Sequence, residues 1–490
     1  LGVSYTKMVK KNYVTFNGGY NVSSTDLRSH GYSVLGFPAD ELNDPGFGLD
    51  YHPEKKPTGN SELSRMAGFF GNLNYTYDNR YFADFSVRAD ASSRFGADKR
   101  WAVFWSAGVG YNLHNEVFLK KLEWVSLLRL RASYGVTGGQ NFNPYQAMTT
   151  YRFITDKWYG YGSGAEMLAL GNDDLKWQST VQKNFGLDLG MWKDRLTLTF
   201  NYYHKLSENS LTDVTLPPSL GFPSYKENLG EVVNEGWEFT LRGFVVKKED
   251  FNIMLSVNGA QNNNKLKKIS NSLKAFNEEQ DKQVENKVMA RYVEGQSLNT
   301  IWVVRSLGID PANGKELFLD KNGKRTYDWN ADDYVAEATT DPRLYGNLGL
   351  GIFYRGFSLN TYVNYSLGEK AYNQTLVDRV ENADKHYNCD RRVLYDRWHK
   401  PGDETFFKDV KDASVTRPTS RFVQKNNYLN MTSLNVAYEF NPRLLEPLRI
   451  KYLKLAFYMT DLFRISTMKA ERGLDYPFAR TFTTSLQIRF

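Results

Sequence analysis

Residues 101–113 read WAVFWSAGVGYNL, and apolar or aromatic side chains occupy every odd position of this stretch. Successive residues of a β-strand point to opposite faces, so a period of two indicates a strand with one apolar face. The even positions, which include Ser106, Gly108 and Asn112, form the opposing face. The same alternation recurs in four further stretches: residues 128–136, 251–257, 357–365 and 482–490. The chain is therefore predicted to be all-β.

The connections between the predicted strands alternate between short and long. The short set comprises Asp78-Asn79, Lys193-Asp194, Arg355-Gly356, 247–250, 114–125 and 441–449. The other set comprises 23–62, 138–178, 208–231, 265–343, 371–427 and 465–479, with only 93–100 brief. Bacterial outer-membrane barrels have this asymmetry, with short periplasmic turns and longer extracellular loops. We therefore predict a transmembrane up-and-down antiparallel β-barrel with its long connections outside the cell.

Fourteen strands are predicted in this chain. They span 10–22, 64–77, 80–92, 101–113, 126–137, 179–192, 195–207, 232–246, 251–264, 344–354, 357–370, 428–440, 450–464 and 480–490. Most are longer than the ~5–6 residues that are usual in globular sheets. The excursion 265–343 is long enough to hold further strands.

Composition excludes several classes of protein. The mean hydropathy is −0.55, and no apolar run reaches the ~18–20 residues of a membrane helix, which excludes a helical membrane protein. A barrel wall stays compatible, because only alternate residues of each strand meet lipid. The net charge of +7 is spread along the chain without a basic helix, so we predict no nucleic-acid partner. A soluble β-rich glycan-binding protein remains an alternative.

Candidate chemical sites are few. His386, Cys389 and His399 have ligand chemistry, but their spacing matches no standard zinc pattern, so we predict no metal. The stretches DPANG at 310–314 and DKNG at 320–323 are either tight turns or partial loops for a structural calcium ion. No nucleophile, base and orienting group occur together, so we predict that the chain is not an enzyme and needs no cofactor.

Aromatic and arginine side chains are concentrated in the long connections. Such side chains contact sugars or peptides and anchor protein interfaces, but they also pack loops against one another. The candidate residues for substrate binding or partner docking are Trp158, Tyr159, Tyr161, Trp329, Tyr334, Tyr387, Arg391, Arg392, Tyr395, Arg397 and Trp398. On the inward face, Gly108, Gly110, Gly349 and Gly351 allow either close approach of a plug or another chain, or bending of the strand.

Three segments resemble the SusC/RagA class of TonB-dependent transporters. In residues 171–242 the resemblance is carried by GNDDLKWQ, NFGLD, YYHK and NLGEVVNEGWE, with Gln178 where that class usually has Glu. RFVQKNNYLNMTSLNVAYEF at 421–440 resembles the class's S-R-F…Y-L-R-L strand. GLDYPFARTFTTSLQIRF at 473–490 resembles its closing strand, with the usual D-P-E shortened to Leu474-Asp475. The order of these motifs, over most of 64–490, makes the resemblance specific.

The resemblance implies a protein of roughly twice this length, with a signal peptide, a TonB box, a plug domain and a 22-stranded barrel. None of the first three is recognisable in this chain, and fourteen strands fall short of 22. We therefore expect residues 1–490 to be the C-terminal portion of such a barrel, located in the bacterial outer membrane.

The activity implied by the resemblance is TonB-dependent import of glycans or oligopeptides across the outer membrane. Its implied partners are a SusD-like surface lipoprotein, TonB acting through the plug, and membrane lipid, with a dimer of transporter–lipoprotein pairs as a further possibility. The alternatives are a TonB-dependent receptor for another ligand, an outer-membrane enzyme barrel and the soluble glycan-binding protein.

Overall fold

One antiparallel sheet dominates the computed structural model, which describes residues 1–490 except 141–142, 161, 210, 216–223, 229, 270, 283–285, 385, 387 and 470–478. Fifteen of its strands are neighbours in strict chain order. They are β1 (Gly2–Val9), β2 (Asn12–Gly31), β3 (Thr58–Tyr77), β4 (Tyr81–Ser92), β5 (Trp101–Asn112), β6 (Val125–Gly139), β7 (Gln178–Met191), β8 (Leu196–Glu208), β9 (Glu231–Lys247), β10 (Phe251–Lys268), β11 (Leu344–Tyr354), β12 (Phe357–Leu367), β13 (Tyr428–Glu439), β14 (Tyr452–Thr460) and β15 (Phe482–Arg489). The short strand Arg464–Ser466 also pairs with β13.

All fourteen predicted strands are present, and β1 is an additional one. Its pattern is weak, because the alternation of Val3 and Tyr5 is interrupted by Lys7. The predicted connection 23–62 is also too long, because β2 extends to Gly31 and β3 begins at Thr58. Among the described strands the sheet runs from β1 to β15 without closing.

The register keeps one face apolar from strand to strand. Tyr5 lies opposite Phe16, which lies opposite Leu73, and Leu73 lies opposite Phe85. On β5 the odd residue Val103 is 63% exposed, whereas Gly108 on the opposite face is buried. A one-residue slip would move every apolar side chain to the other face, so the predicted division of β5 into two faces is confirmed.

Some of the short connections are tight turns that contain left-handed backbone. Asp78 and Asn79 have φ of 51° and 53°, and Arg355 and Gly356 have φ of 44° and 88°. Two-residue turns with positive φ match the right-handed twist of the strands that they join. This end of the sheet is called the short-turn end below, and the opposite end is called the long-loop end.

The long connections contain secondary structure of their own. Smaller strands pair as Val34–Leu35 with Asp50–Tyr51, Thr150–Tyr159 with Gly162–Ala169, Leu211–Thr215 with Ser224–Asn228, and Lys370–Tyr372 with Val423–Lys425. A four-stranded sheet comprises Thr300–Ile309, Glu316–Leu319, Arg325–Thr326 and Tyr334–Thr339. The excursion 265–343 thus does hold strands, but in the described structure they form a sheet separate from the main one.

Helical segments are short. The α-helices are Asn271–Lys282, Gln374–Leu376 and Pro442–Leu445, and the π-turn is Val377–Glu381. The 3-10 turns are Pro45–Phe47, Ala97–Lys99, Leu113–Asn115, Ala331–Asp333, Arg391–Leu394, Ser420–Phe422 and Glu446–Leu448. In the part of the chain that the structure describes, no helix has the length and apolarity needed to cross a membrane.

Candidate functional site: the inner wall and the loop platform

The face opposite the apolar belt carries a hydrogen-bonded row of polar side chains, which we call the inner wall. Arg131 of β6 donates through Nε to Asp188 of β7 at 2.9 Å and through Nη2 to Asn201 of β8 at 3.1 Å. Asn201 in turn donates to Glu238 of β9 at 3.2 Å. Charged and amide groups are therefore linked across four adjacent strands.

The row continues toward the long-loop end on β8, β9 and β10. Tyr203 donates its hydroxyl to Asn262 at 2.9 Å, and Asn262 and Asn264 both donate to the Asn234 side-chain oxygen, at 3.1 and 2.9 Å. A cavity of about 460 Å³ opens beside this amide cluster. It is lined by Gln261, Asn262, Asn263, Asn264, Lys265, Gly295, Gln296, Ser297, Thr300, Ala336, Ala338, Thr339, Asp341, Pro342 and Arg343. Its amides, hydroxyls and charges can bind hydroxyl-rich or amide-rich ligands.

The family-like motifs of the sequence supply much of this wall. Asp188 belongs to NFGLD, Tyr203 to YYHK, and Asn234 to NLGEVVNEGWE. Gly186 lies where a Cβ would come within 2.9 Å of the Arg131 guanidinium and of the Asn201 amide. The glycine thus provides the space in which the arginine reaches across the strand. Sequence reasoning found these motifs without recognising that they form one polar face.

The inward glycines Gly108 and Gly110 lie against side chains of the neighbouring strand. A Cβ at Gly110 would overlap the ring of Phe82 on the adjacent strand, and a Cβ at Gly108 would approach the Asp84 carboxylate. Large side chains of β4 therefore fill the space above glycines of β5. Side chains of a neighbouring strand thus occupy the space at these two positions, whereas close approach of a plug or another chain and bending of the strand stay predictions.

The two longest connections, 265–343 and 371–427, pack together as one body, which we call the loop platform. The backbone N–H of Val304 donates to Pro418 O at 3.3 Å, and that of Ser306 donates to Ser420 Oγ at 3.0 Å. Its apolar core contains Leu376, Val377, Val380, Val393, Phe407 and Phe422. Because Val377, Val380 and Phe422 have no solvent exposure, the platform has a core of its own above the sheet.

Arg421 joins the two connections. Its guanidinium lies 2.7 Å from Glu316 of one connection and 2.7 Å from Glu381 of the other, and its side chain is 4% exposed. Burial opposes a charged Arg421, but the two carboxylates outweigh burial and raise the pKa of the guanidinium above its usual range. Sequence reasoning did not select Arg421 as a site residue, although it opens the RFVQKNNYL motif.

Arg397, predicted to face a ligand or partner, is instead buried at 4% exposure. It donates to the backbone oxygens of Val393 at 2.6 Å and Lys408 at 3.1 Å, and also to those of Val380 and Glu381. Burial lowers the pKa of this guanidinium. All of its described bonds are to the platform's own backbone, so Arg397 holds the loop in shape.

Three of the predicted aromatic residues pack within the platform. Trp398 donates its indole N–H to Pro311 O at 2.9 Å. Trp329 donates to Pro418 O at 3.2 Å and meets Tyr334 edge-on, with ring centroids 5.6 Å apart. These three side chains therefore make the contacts expected when the long connections pack against one another.

Among the predicted residues whose side chains the structure describes, Arg391 and Tyr395 are exposed. Tyr395 is 55% exposed, its neighbour Leu394 is 74% exposed, and the Arg391 guanidinium lies 5.6 Å from the Tyr395 ring centroid. Arg392 is half-buried and pairs with Asp390 at 2.7 Å. Tyr161 and Tyr387 lie outside the described residues, as do the side chains of Trp158 and Tyr159.

The two calcium-like stretches are turns in the structure. Gly314 and Gly323 have φ of +71° and +79° and donate backbone N–H groups to Asp310 O and Asp320 O. The Asp320 carboxylate accepts the backbone N–H of Lys324 at 2.8 Å, and such bonds lower its pKa. Among the described residues no three His, Cys, Asp or Glu side chains form a group that could hold a metal ion. The prediction that no metal is needed stays a prediction.

The chain is similar to known proteins in sequence. The family model "TonB dependent receptor-like, beta-barrel" matches residues 2–383. TonB-dependent receptor SusC of Bacteroides thetaiotaomicron is 28% identical over 474 residues, which cover 89% of this chain and 45% of that protein. TonB-dependent receptor P3 of Formosa agariphila is 25% identical over 542 residues, which cover 99% of this chain and 52% of that protein.

Solved structures share the fold. The structure of the RagAB peptide transporter superposes with a TM-score of 0.84 at 23% identity, covering 99% of this chain and 54% of that one. The RagAB peptide importer in its "open-open" state superposes with a TM-score of 0.83. The chain spans about half the length of the curated relatives it matches.

Proposed function

Because the chain belongs to the TonB-dependent receptor β-barrel family, we propose that it forms part of the wall of an importer of glycans or oligopeptides. The chain is an outer-membrane β-barrel segment of the SusC/RagA class. Localisation in the outer membrane argues against the alternative of a soluble glycan-binding protein. Import would draw energy from TonB through a plug region.

The observation that carries this proposal is the inner wall. The bonded row of Arg131, Asp188 and Asn201 is followed, toward the long-loop end, by Tyr203 and the amide cluster around Asn234. The outer face of the same strands is apolar. A wall of this kind can exchange hydrogen bonds with hydroxyl or amide groups along a passing oligomer. Glycans and oligopeptides both carry such groups at short repeats, so both stay in the proposal.

A SusD-like lipoprotein is the proposed partner at the long-loop end. The loop platform supplies a prefolded surface, and Arg391, Leu394 and Tyr395 supply exposed side chains of types that anchor interfaces. A stable docked partner would bury more than ~1,000 Å² in total. A dimer of transporter–lipoprotein pairs belongs to the same proposal.

Uptake by intact cells tests the function. A strain that lacks the gene should take up labelled oligosaccharides or labelled oligopeptides more slowly than the complemented strain, and collapse of the proton-motive force should abolish the difference. Tyr203→Phe removes the hydroxyl that bonds Asn262, and Tyr202→Phe removes one from the adjacent, outward side chain. Because only the Tyr203 hydroxyl belongs to the inner wall, slower uptake is expected for Tyr203→Phe and unchanged uptake for Tyr202→Phe. Equal uptake of both substrate classes by the deleted and complemented strains would refute the proposal.

A further inference from the structure

A groove of about 1080 Å³ lies at the short-turn end of the sheet, where β8, β9 and β10 meet. We call it the rim groove. Its apolar floor includes Leu196, Leu241 and Leu255, which belong to the outward, apolar face by register. Its volume is at the upper end of the ~300–1,000 Å³ that is typical of small-molecule sites. The groove thus opens on the face of the sheet that is turned away from the inner wall.

A β-bulge shapes this groove. The pairing of β9 with β10 shifts between Phe244 and Val246, which leaves Val245 unpaired and 63% exposed. Gly243, the residue before the bulge, lies opposite Leu196 and adds no side chain to the floor. Bulges bend the strand and re-aim side chains, and they are over-represented at barrel rims. The local chain therefore forms a depression in an otherwise continuous apolar belt.

The rim of the groove is basic and aromatic. Lys193, Arg195 and Lys247 line it, against one lining carboxylate, that of Glu123. Lys247 Nζ lies 5.0 Å from the Phe244 ring centroid. The nearby Asp194 carboxylate accepts the Ser126 hydroxyl at 2.6 Å. The three basic side chains and the Glu123 carboxylate that line the groove therefore carry a positive net charge.

Two tryptophans complete the rim. Trp124 is 47% exposed and Trp192 is 53% exposed, and the backbone N–H of Trp192 donates to Trp124 O at 2.7 Å. Tryptophan is enriched at the level of lipid headgroups, where its ring is apolar and its N–H is polar. The order from floor to rim, first apolar, then aromatic and basic, matches the order of groups along a phospholipid.

We propose that the rim groove binds one anionic diacyl phospholipid of the leaflet at the short-turn end. An acyl chain would lie over Leu196, Leu241 and Leu255, and the headgroup phosphate would meet Lys193, Arg195 and Lys247. The site rests on the proposed membrane orientation of the apolar face. Each basic residue near an anionic headgroup raises the binding affinity by about fivefold. Three such residues therefore favour an anionic lipid over a zwitterionic one.

Native mass spectrometry of the intact detergent-purified protein tests the site. The protein is titrated separately with phosphatidylglycerol and with phosphatidylcholine of identical chains. Wild type should retain one phosphatidylglycerol at least tenfold more tightly than phosphatidylcholine. The K193E/R195E/K247E variant should lose this preference, whereas K193R/K247R should keep it. Arg355→Glu is the matched control, because Arg355 also lies in a short turn, where its guanidinium stacks on the ring of Tyr354. This variant should keep the preference.

The outcomes separate this site from the proposed function. Equal retention of the two lipids by wild type, or an unchanged preference in K193E/R195E/K247E, overturns the site even when the protein inserts into bilayers and supports uptake. Loss of the preference in Arg355→Glu also overturns it, because the effect would then belong to the whole rim. Inorganic phosphate should not displace the bound lipid; displacement at millimolar phosphate would identify a phosphate site without an acyl-chain contribution and would overturn the phospholipid assignment.

Discussion

Replacing Arg421 with methionine should open the loop platform without unfolding the main sheet. The substitution keeps a long apolar stem but leaves Glu316 at 10% and Glu381 at 0% side-chain exposure without their shared cation. Glu381 Oε2 already has no hydrogen-bond partner among the described residues. Both carboxylates must then take up a proton or reach water, and reaching water requires the two connections to separate.

The magnitude follows from the burial of the cluster. Removing one partner from a buried ion pair costs ~3–5 kcal/mol, since an uncompensated charge stays in the interior. Because ~1.4 kcal/mol changes an equilibrium tenfold, the open population of the platform should rise roughly 10²- to 10³-fold. Arg305→Met is the matched control, because Arg305 is 57% exposed and pairs with Glu337 at 3.4 Å in the same small sheet. An exposed pair of this kind contributes ~0–1 kcal/mol.

Limited proteolysis of intact cells reads out this opening. Added trypsin should cut Arg421→Met within 371–427 far faster than wild type or Arg305→Met, while the heat-dependent gel shift of the barrel stays unchanged. Cutting rates within a factor of about two of wild type would refute the argument that Arg421 joins the connections. Cleavage at Lys193 in wild-type cells would overturn the placement of the long-loop end outside the cell.

Four further predictions concern separate features of the chain. Gly110→Ala should lower barrel stability by ~1–3 kcal/mol through overlap with Phe82, and adding Phe82→Ala should relieve part of that cost in thermal unfolding. The bond from Arg392 lowers the pKa of Asp390 to about 2, so its stabilising effect is fully present above pH 3.8 and is lost as pH falls through about 2. The difference in melting temperature between wild type and Asp390→Asn should shrink accordingly, and a constant difference down to pH 2 would contradict this. Alanine at Arg391 and Tyr395 together should weaken co-purification of the lipoprotein with no change in melting temperature; unchanged co-purification would move docking elsewhere. The purified protein should hydrolyse neither glycan nor peptide, and hydrolysis abolished by a substitution in this chain would contradict its non-enzymatic assignment.

The faces of the strands were predictable because a strand offers only two choices for each side chain. Once Val103 and Val109 are assigned to the outward face, the register of strand pairing determines which residues of the neighbouring strands also face outward. Turn positions such as Asp78-Asn79 were predictable because Asp and Asn tolerate the positive φ that tight hairpins need. Strand β1 was missed because its alternation is broken at Lys7.

The candidate site was less predictable, because its contacts join residues far apart in the chain. Arg421 and Glu316 are 105 positions apart, and no local pattern links them. Arg397 has the composition of an interface anchor, yet only its burial and its bonds to backbone oxygens distinguish a loop support from a contact residue. The polar inner wall was implicit in the alternate, polar positions of each strand. The hydrogen bonds that link its side chains become visible only when the fold places Arg131, Asp188 and Asn201 side by side.

Site-directed labelling of β5 tests the central claim, that one face of this sheet meets lipid and the other lines an aqueous import path. Single cysteines at Val103, Val109, Ser106 and Asn112 would be introduced in a Cys389→Ser background. A bilayer-restricted reagent should label positions 103 and 109, and a membrane-impermeant aqueous reagent should label 106 and 112. Preferential labelling of 106 or 112 by the bilayer-restricted reagent would contradict the account.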